Sequence, residues 1–264
     1  MRGSQRDVSA SDQIQHAVTP EVGAELVADQ RTGQECTSGG DAQSAASDAQ
    51  RRGKLLAAAE RLQLPLSGVD ADRLMAFLSL LQRWNRVYNL TALRDPNEML
   101  SHHLVDCLAV LPALRRHAAT GSGLRVLDVG SGGGLPGVVL AILQPDWQIS
   151  CVDTVSKKAS FIRQAGAELR LPNLAALHSR VEDLPADKGF DLITSRAFAS
   201  LADFTALTAH LLSPGGTWAA MKAKLTPQEL AAVPADVDMF HVEQIAVPAL
   251  DAQRCLVWMR PRGG

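Results

Sequence analysis

The sequence predicts a doubly wound α/β fold that carries a helical cap before its sheet and an antiparallel hairpin at one edge. Apolar strand-like runs alternate with helical patterns from residue 124 onward, which favours a parallel sheet covered by helices on both faces. The last two strand-like runs have no helix between them, which indicates a hairpin. Residues 54–118 show only helical periodicity. We therefore divide the chain into an extension (1–53), a helical cap (54–118) and an α/β domain (119–264).

The composition of the chain excludes a mostly disordered protein, a collagen-like protein and a coiled-coil rod. Of its 264 residues, 46% are hydrophobic and 20% charged, which are globular values. No apolar run is long enough for a membrane span, and the first residues lack the apolar core of a signal peptide. The four cysteines form neither a CxxC pair nor a cluster with histidines, so we expect no disulfide framework and no metal site. We expect a cytoplasmic monomer.

The extension differs from the rest of the chain in composition and charge. Residues 1–53 contain no Phe, Trp or Tyr, and residues 1–50 hold three Lys+Arg against eight Asp+Glu. Such a segment buries too little apolar surface to offset its ordering entropy, so we expect it to be disordered. The remainder is mildly basic, which favours contact with nucleic acid through a local patch rather than by bulk charge.

Helical signals come first along the chain. Apolar residues recur at spacings of three and four after Asp70, which we interpret as an N-cap, and this stripe runs from Leu74 to Val87. Pro96 suits the first turn of the next helix. The expected cap helices span residues 54–62, 70–88 and 96–111.

The βα pattern then predicts seven strands and three helices. The expected strands are residues 124–130, 148–153, a third ending at Ser179, 190–197, a fifth after the turn 213–216, and two late strands at 241–247 and 254–260. The expected helices between them are 136–143, 156–169 and 201–212.

A glycine-rich turn between the first strand and its helix is the sharpest local signal. Residues 126–137 read VLDVGSGGGLPG. Glycines permit positive φ and a close approach of ligand to backbone, and the following helix start offers free N–H donors. This pattern predicts a nucleotide-type ligand site at the carboxyl end of the strand.

The spacing alone leaves the ligand open. Gly132, Gly134 and Gly137 match a dinucleotide fingerprint, and Asp153 follows 19 residues after Gly134. Asp128 is evidence against NAD. A carboxylate at the strand end would be unfavourable next to the pyrophosphate of a dinucleotide, but it suits a ligand with a cationic amino-acid part. The terminal hairpin is also absent from the usual dinucleotide fold.

Two further residues are candidates on their own chemistry. Asp153 ends the second strand, where an acid can accept both ribose hydroxyls; the alternative is a helix N-cap before Ser156. Arg196 follows the apolar run 192–194. We expect Arg196 at the ligand-binding edge of the sheet, because an unpaired buried guanidinium is expensive.

Residues 128–134 resemble the first motif of S-adenosylmethionine-dependent methyltransferases. Seven segments, in order, resemble one family, the bacterial small-subunit rRNA guanine-N7 methyltransferases, also called glucose-inhibited division protein B: 84–91, 94–100, 102–106, 134–137, 179–182, 195–201 and 247–251. The resemblance covers about residues 54–260. The glycine loop departs mildly, because some members carry Thr and Pro there.

The resemblance implies a seven-stranded Rossmann-like methyltransferase sheet that binds S-adenosyl-L-methionine. It places Gly130 and Leu135 on the methionine side of the cofactor and Asp153 at the ribose. Val181 and Glu182 would meet the adenine. Arg196 would lie by the cofactor and the target base, as the catalytic residue. The other expected cofactor-binding residues are Asp128, Ser131, Gly132 and Gly134.

The implied reaction is methyl transfer to N7 of one guanosine in 16S rRNA, with the small ribosomal subunit or its RNA as partner and neither membrane nor metal involved. Guanine N7 carries an exposed lone pair, so no proton needs to leave. The sequence lacks the Asn/Asp-Pro-Pro-Tyr/Phe motif of amino-methylating enzymes. Two alternatives stay open: a methyltransferase for a small molecule or protein, and a cofactor-binding assembly factor without turnover.

Histidines and basic residues give weaker signals. His103 and Asp106 share one helix face, and we interpret them, with His102, as a hydrogen-bonded interface between the cap and the sheet. The candidates for RNA contact are Arg83, Arg86, Arg94, Lys157, Lys158, Arg163, Lys222 and Lys224.

Overall fold

The computed structural model describes residues 38–117, 123–196, 198–248, 250 and 252–263. Backbone contacts separate residues 1–39 from residues 40–264; apart from the first two residues of the first helix, the account below concerns residues 40–264. Across the described ranges, no helix combines the length and apolarity that crossing a membrane requires.

The cap consists of four α-helices. They are α1 (Ser38–Arg61), α2 (Gly68–Tyr88), α3 (Pro96–Met99) and α4 (Asp106–His117), with a π-helical segment, Leu100–Val105, between α3 and α4. The start of α1 corrects the expected helix start at residue 54. The same helix extends back over residues 38–53, which contain four alanines and no proline, so nothing in this stretch breaks it. The expected disorder of residues 1–37 lies outside the described residues.

Helix α2 begins two residues earlier than expected. Ser67, not Asp70, is its N-cap, and the Ser67 hydroxyl accepts a hydrogen bond from the Asp70 N–H at 3.1 Å. The predicted stripe is buried from Leu74 to Leu81. Val87, expected on the same stripe, is 69% exposed, because the last turn of the helix extends past the core.

The predicted fold class is confirmed. Seven strands form one sheet in the order β3-β2-β1-β4-β5-β7-β6. Six of these strands run in one direction, and β7, between β5 and β6, runs in the opposite one. The strands are β1 (Arg125–Val129), β2 (Gln148–Asp153), β3 (Leu174–His178), β4 (Phe190–Arg196), β5 (Leu212–Lys222), β6 (Val237–Ile245) and β7 (Arg254–Pro261). The connecting helices are α5 (Gly137–Leu143), α6 (Ser156–Glu168), α7 (Leu201–Thr208) and α8 (Pro227–Ala231).

Element ends account for most of the differences from the expectations. Strand β5 is continuous from Leu212, and α7 stops at Thr208. The pairing of β5 with β4 moves from Phe190–Leu212 to Leu192–Thr217, so residues 213–216 bulge out of the ladder where we expected a turn, and regular pairing resumes after it. At Gly216 a Cβ atom would lie 2.7 Å from the Phe190 carbonyl oxygen, so this glycine permits the close approach of the bulge to β4. Strand β6 begins at Val237, four residues earlier than expected.

The cap and one face of the sheet share a single hydrophobic core. Phe77 on α2 packs against Phe161 on α6, with ring centroids 6.2 Å apart, and Val139 on α5 is buried in the same cluster. A second cluster, which includes Phe204 and Trp218, fills the other face. Because the cap packs directly on α5 and α6, the segment after α2 is held at the carboxyl ends of the parallel strands.

Candidate functional site

A cavity of about 620 Å³ opens at the carboxyl ends of β1 and β4. Its size is typical of a small-molecule site. The glycine loop after β1, the segment after α2, the π-helical segment, and the ends of β4, β5 and β7 form its walls. Its lining includes Thr91, His103, Gly130, Arg196, Lys222 and Arg254.

The glycine loop has a backbone that tolerates no side chain at its critical position. Gly130, Gly132 and Gly134 have φ of +67°, +56° and +76°. A Cβ atom on Gly134 would lie 2.5 Å from a Val138 methyl carbon. The N–H groups of Gly130 and Ser131 donate to the Val152 carbonyl at 2.9 and 3.2 Å, which fixes the loop to β2. Gly130, Ser131, Gly132 and Leu135 all line the cavity, so a ligand there meets backbone directly.

Asp128 lies beneath this loop rather than at the cavity. Its carboxylate is fully buried, and its Oδ2 accepts the Gly137 N–H at 2.9 Å. Its Oδ1 has no hydrogen-bond partner among the described residues. Burial raises the pKa of this carboxyl to about 6. In this structure the Asp128 carboxylate positions the turn that begins α5, and its contact with a bound ammonium group stays a prediction.

Asp153 connects the end of β2 to the glycine loop. Its Oδ2 accepts the Gly132 N–H at 3.0 Å and its Oδ1 accepts the Val155 N–H at 2.8 Å. Lys158 Nζ lies 3.7 Å from Oδ2. The residue that precedes α6 is Val155, which makes no side-chain cap, so the N-cap alternative for Asp153 is wrong. Each carboxylate oxygen retains a lone pair for a further donor.

Val181 and Glu182 form a short 3₁₀ turn after β3. Val181 is buried in the cluster that contains Val129 and Val152. Glu182 is half-buried and accepts from the Arg180 Nε at 3.1 Å. Neither residue lines the cavity, so the structure does not bring them together with Arg196.

Arg196 lies at the end of β4 and lines the cavity. Its Nη1 donates to the His102 carbonyl at 3.0 Å and lies 3.5 Å from Asp106 Oδ2. The His103 Nδ1 is 3.4 Å from the same nitrogen. Three groups of the cap therefore orient one guanidinium at the edge of the sheet.

His103 is a buried, neutral acceptor in this arrangement. Its Nε2 lies 2.9 Å from the Thr91 hydroxyl, while its Nδ1 faces Arg196. Because a guanidinium only donates, Nδ1 is the acceptor and Nε2 carries the hydrogen. Burial, with the Arg196 charge second, lowers the pKa of this imidazole to about 4. His103 and Asp106 thus form the hydrogen-bonded interface between cap and sheet that the helix-face spacing favoured.

Arg254, at the start of β7, is a cavity residue that sequence reasoning missed. Its Nε lies 2.8 Å from Asp106 Oδ1, and Asp106 is 3% exposed. The signal was available, since Arg254 borders an apolar strand, as Arg196 does. The same argument about an unpaired buried guanidinium would have placed Arg254 at the site.

The basic candidates for RNA contact separate into two groups. Arg83, Lys158 and Lys222 each pair with a carboxylate: Glu168, Asp153 and Glu229, respectively. Within the described residues, the other five have no carboxylate within 4.0 Å: Arg86, Arg94, Lys157, Arg163 and Lys224. The second group is electrostatically free to meet an anionic ligand.

The structure brings together one cluster of potential metal ligands that the spacing of residues in the sequence did not predict. His117, at the end of α4, and His241 and Glu243, on β6, bring ligand atoms within 4.8 Å of one another. The Glu243 carboxylate is already paired with Arg116. The cluster is separate from the residues that line the cavity.

Comparison with known proteins gives a consistent result. Residues 70–257 match the family model GidB, described as rRNA small subunit methyltransferase G. The Ribosomal RNA small subunit methyltransferase G of Leptothrix cholodnii is 62% identical over 211 residues, which cover 80% of this chain and 96% of the relative. The protein of the same name from Acidovorax sp. (strain JS42) is 56% identical over 210 residues, or 77% of this chain and 92% of the relative. The crystal structure of MtNAS in complex with MTA and tNA has a TM-score of 0.50 and 11% identity, covers 73% of this chain and 74% of that one, and supports the fold alone.

Proposed function

Since this chain belongs to the rRNA small subunit methyltransferase G family, we propose that it transfers a methyl group from S-adenosyl-L-methionine to N7 of one guanosine in 16S rRNA. The observation that carries the proposal is the cavity between the glycine loop and Arg196. It combines backbone suited to a nucleotide-type ligand with an oriented guanidinium. An enzyme with this substrate would work in the cytoplasm, and we include that location in the proposal.

The residues around the cavity fit the cofactor. S-adenosyl-L-methionine, when bound, supplies a methyl group activated by a positively charged sulfur. Gly130 and Leu135, which both line the cavity, would contact its amino-acid part. Asp153 would accept the ribose hydroxyls with its remaining lone pairs. Val181 and Glu182, in the turn after β3, lie outside the lining of this cavity, so the adenine would extend beyond it to reach them.

The chain does not need a general base for this reaction. Guanine N7 attacks through a lone pair that carries no proton, so catalysis depends on alignment and on exclusion of water. His103, whose imidazole lies next to Arg196, is not placed to act as a general base. Its only acceptor nitrogen faces Arg196, and its low pKa keeps it neutral.

Arg196 would orient the target base. We propose that its guanidinium donates to guanine O6, the acceptor next to N7, and leaves N7 free. The His102 carbonyl, His103 and Asp106 restrict the rotamers of Arg196 before the substrate arrives. This pre-organisation lowers the entropy that binding must overcome.

The test is direct. The protein is incubated with methyl-labelled S-adenosyl-L-methionine and small ribosomal subunits from cells that lack it, and the RNA is then digested to nucleosides. We expect the label in N7-methylguanosine, with at most one labelled methyl group per 16S rRNA. Label in another nucleoside, in ribosomal protein or in a small molecule would overturn the proposal, as would cofactor binding without transfer to RNA.

A further inference from the structure

The last turn of α2 presents an aromatic ring to solvent. Tyr88 is 42% exposed. Its ring packs against Trp84, with centroids 5.1 Å apart, and Trp84 packs edge-on against Phe161 at 5.6 Å. The buried aromatics therefore hold the Tyr88 ring in place while part of it stays open.

Two further exposed apolar side chains, Val87 and Val155, lie near Tyr88 or Lys157 in the sequence. In the described part of the chain, five large hydrophobic side chains are exposed: Val69, Val87, Tyr88, Val155 and Leu230. Val87 adjoins Tyr88. Val155 lies two residues before Lys157, whose Nζ is 5.4 Å from the centre of the Tyr88 ring. An exposed aromatic ring that is held in place, with exposed apolar side chains near it in the sequence, is typical of an interaction site.

Lys157 is an unpaired cation at the ring, and two more, Arg86 and Arg94, lie near Tyr88 in the sequence but line a separate cleft that Tyr88 does not border. Arg86, Arg94 and Lys157 are exposed, and none has a carboxylate within 4.0 Å among the described residues. Arg86 and Arg94 line a cleft of about 220 Å³. Arg94 donates to the Asn89 side-chain oxygen at 2.7 Å, which orients it without neutralising its charge.

The ring lies next to the cavity along the chain. Leu90 and Thr91, two and three residues after Tyr88, line the cavity. Lys157 follows β2, whose last residue, Asp153, holds the glycine loop through Gly132. A strand of substrate that reached the cavity past these segments would therefore meet Tyr88.

We propose that the Tyr88 platform, which comprises Tyr88 and Lys157, binds the RNA next to the target guanosine. One base stacks on the Tyr88 ring in the place of the Lys157 ammonium, which moves to an adjacent phosphate. Base–aromatic stacking accepts any base, and phosphate contacts set the register of the strand. This inference rests on the function proposed above and assigns part of its substrate surface.

The first experiment compares variants of Tyr88. With small ribosomal subunits as substrate, we expect Tyr88→Ala to lower kcat/KM by roughly 5- to 150-fold, because stacking contributes about 1–3 kcal/mol per base. Tyr88→Phe and Tyr88→Trp should keep most of the activity, since both keep an aromatic face. The affinity for S-adenosyl-L-methionine and the Tm should stay at wild-type values in Tyr88→Phe and Tyr88→Trp.

The second experiment tests the Lys157 charge through salt. We expect Lys157→Ala to reduce the slope of log affinity for protein-free 16S rRNA against log salt by about 1. Lys188→Ala is the matched control. Lys188 is exposed and precedes β4, at the opposite edge of the sheet from the cavity, so its loss should leave the slope unchanged.

Several results would overturn the inference. Full activity of Tyr88→Ala would remove the ring from the substrate surface, and equal losses in Tyr88→Phe and Tyr88→Ala would show that the hydroxyl matters rather than stacking. Weaker binding of Lys157→Ala and Tyr88→Ala to intact subunits, but unchanged binding to protein-free 16S rRNA, would assign the platform to a ribosomal protein. Binding to 16S rRNA is measured without turnover, so the inference stands or falls separately from the methylation assay on the wild-type chain.

Discussion

Arg254 and Asp106 are 148 positions apart in the chain, yet the Arg254 Nε atom lies 2.8 Å from Asp106 Oδ1. The other oxygen of that carboxylate lies 3.5 Å from the Arg196 Nη1 atom. One buried carboxylate of the cap therefore holds two guanidiniums, which come from β4 and β7 and both line the cavity. The cap is part of the site through this ion pair, as well as through its apolar packing.

Asp106→Asn should cost both stability and activity. The change leaves two partly buried guanidiniums without their carboxylate, and breaking a buried pair typically costs about 3–5 kcal/mol. We expect a loss of about 3 kcal/mol in the free energy of unfolding, measured with denaturant, and a lower kcat. Asp238→Asn is the control, because Asp238 pairs with Arg260 on the surface and should cost at most about 1 kcal/mol. Equal losses in the two variants would contradict this account.

Arg196→Ala should abolish most turnover while the protein stays folded. Three partners hold the guanidinium, and its hydrogen bond to the target base would be charge-assisted. We therefore expect kcat to fall at least about 100-fold, which corresponds to an activation free energy higher by about 2.7 kcal/mol. Arg196→Lys should be impaired as well, because an ammonium cannot reproduce the planar fork. The measurement is single-turnover methylation alongside circular dichroism. A fully active Arg196→Ala variant would exclude this residue from the mechanism.

Gly134→Ala and Gly215→Ala form a matched pair. Both glycines have positive φ, +76° and +78°, but a Cβ on Gly134 meets Val138 at 2.5 Å whereas a Cβ on Gly215 meets nothing within 4 Å. Both changes carry backbone strain of about 1 kcal/mol or more. Only Gly134→Ala should also weaken S-adenosyl-L-methionine binding, by at least roughly tenfold, in a calorimetric titration. The prediction fails if the two variants bind the cofactor equally well.

His103→Gln should change how stability depends on pH. The folded chain holds this imidazole at a pKa of about 4, against 6.5 for the free group, so the unfolded chain binds the extra proton first. Stability is therefore lost as the pH falls from about 6.5 to 4, by up to about 3 kcal/mol. Asp128 acts in the opposite sense below pH 6, because its raised pKa favours the protonated folded state.

The quantity to measure is accordingly the difference between variant and wild type. Wild type should exceed His103→Gln in free energy of unfolding by less at pH 5 than at pH 7. A difference that stays constant over this range would show that His103 titrates normally in the folded chain.

Local sequence patterns were sufficient to predict the order of helices and strands and the fold class. Strand β2 and the start of α6 occur at the predicted residues because period and turn chemistry agree there. The glycine loop was equally readable, since only glycine suits its backbone. Ser67 was missed as an N-cap because Asp70, three residues later, is an equally good capping residue in isolation.

Long-range pairing could not be read from the sequence. No local signal indicates that Asp106 joins Arg254, or that His117 meets His241, because those contacts depend on how β6 and β7 pass the cap. Asp128 was expected at the ligand for its chemistry. Its position beneath the loop follows from the bond to the Gly137 N–H, which no spacing rule predicts.

Strand β7 follows β6 in the chain but lies between β5 and β6. During translation, β5 and β6 therefore emerge before the segment that pairs with both of them, and each has an unpaired edge until residues 254–261 arrive. A nascent chain cannot complete this sheet or place Arg254 before those residues have left the ribosome. The order of synthesis thus makes this one strand the segment that closes both the sheet and the cavity wall.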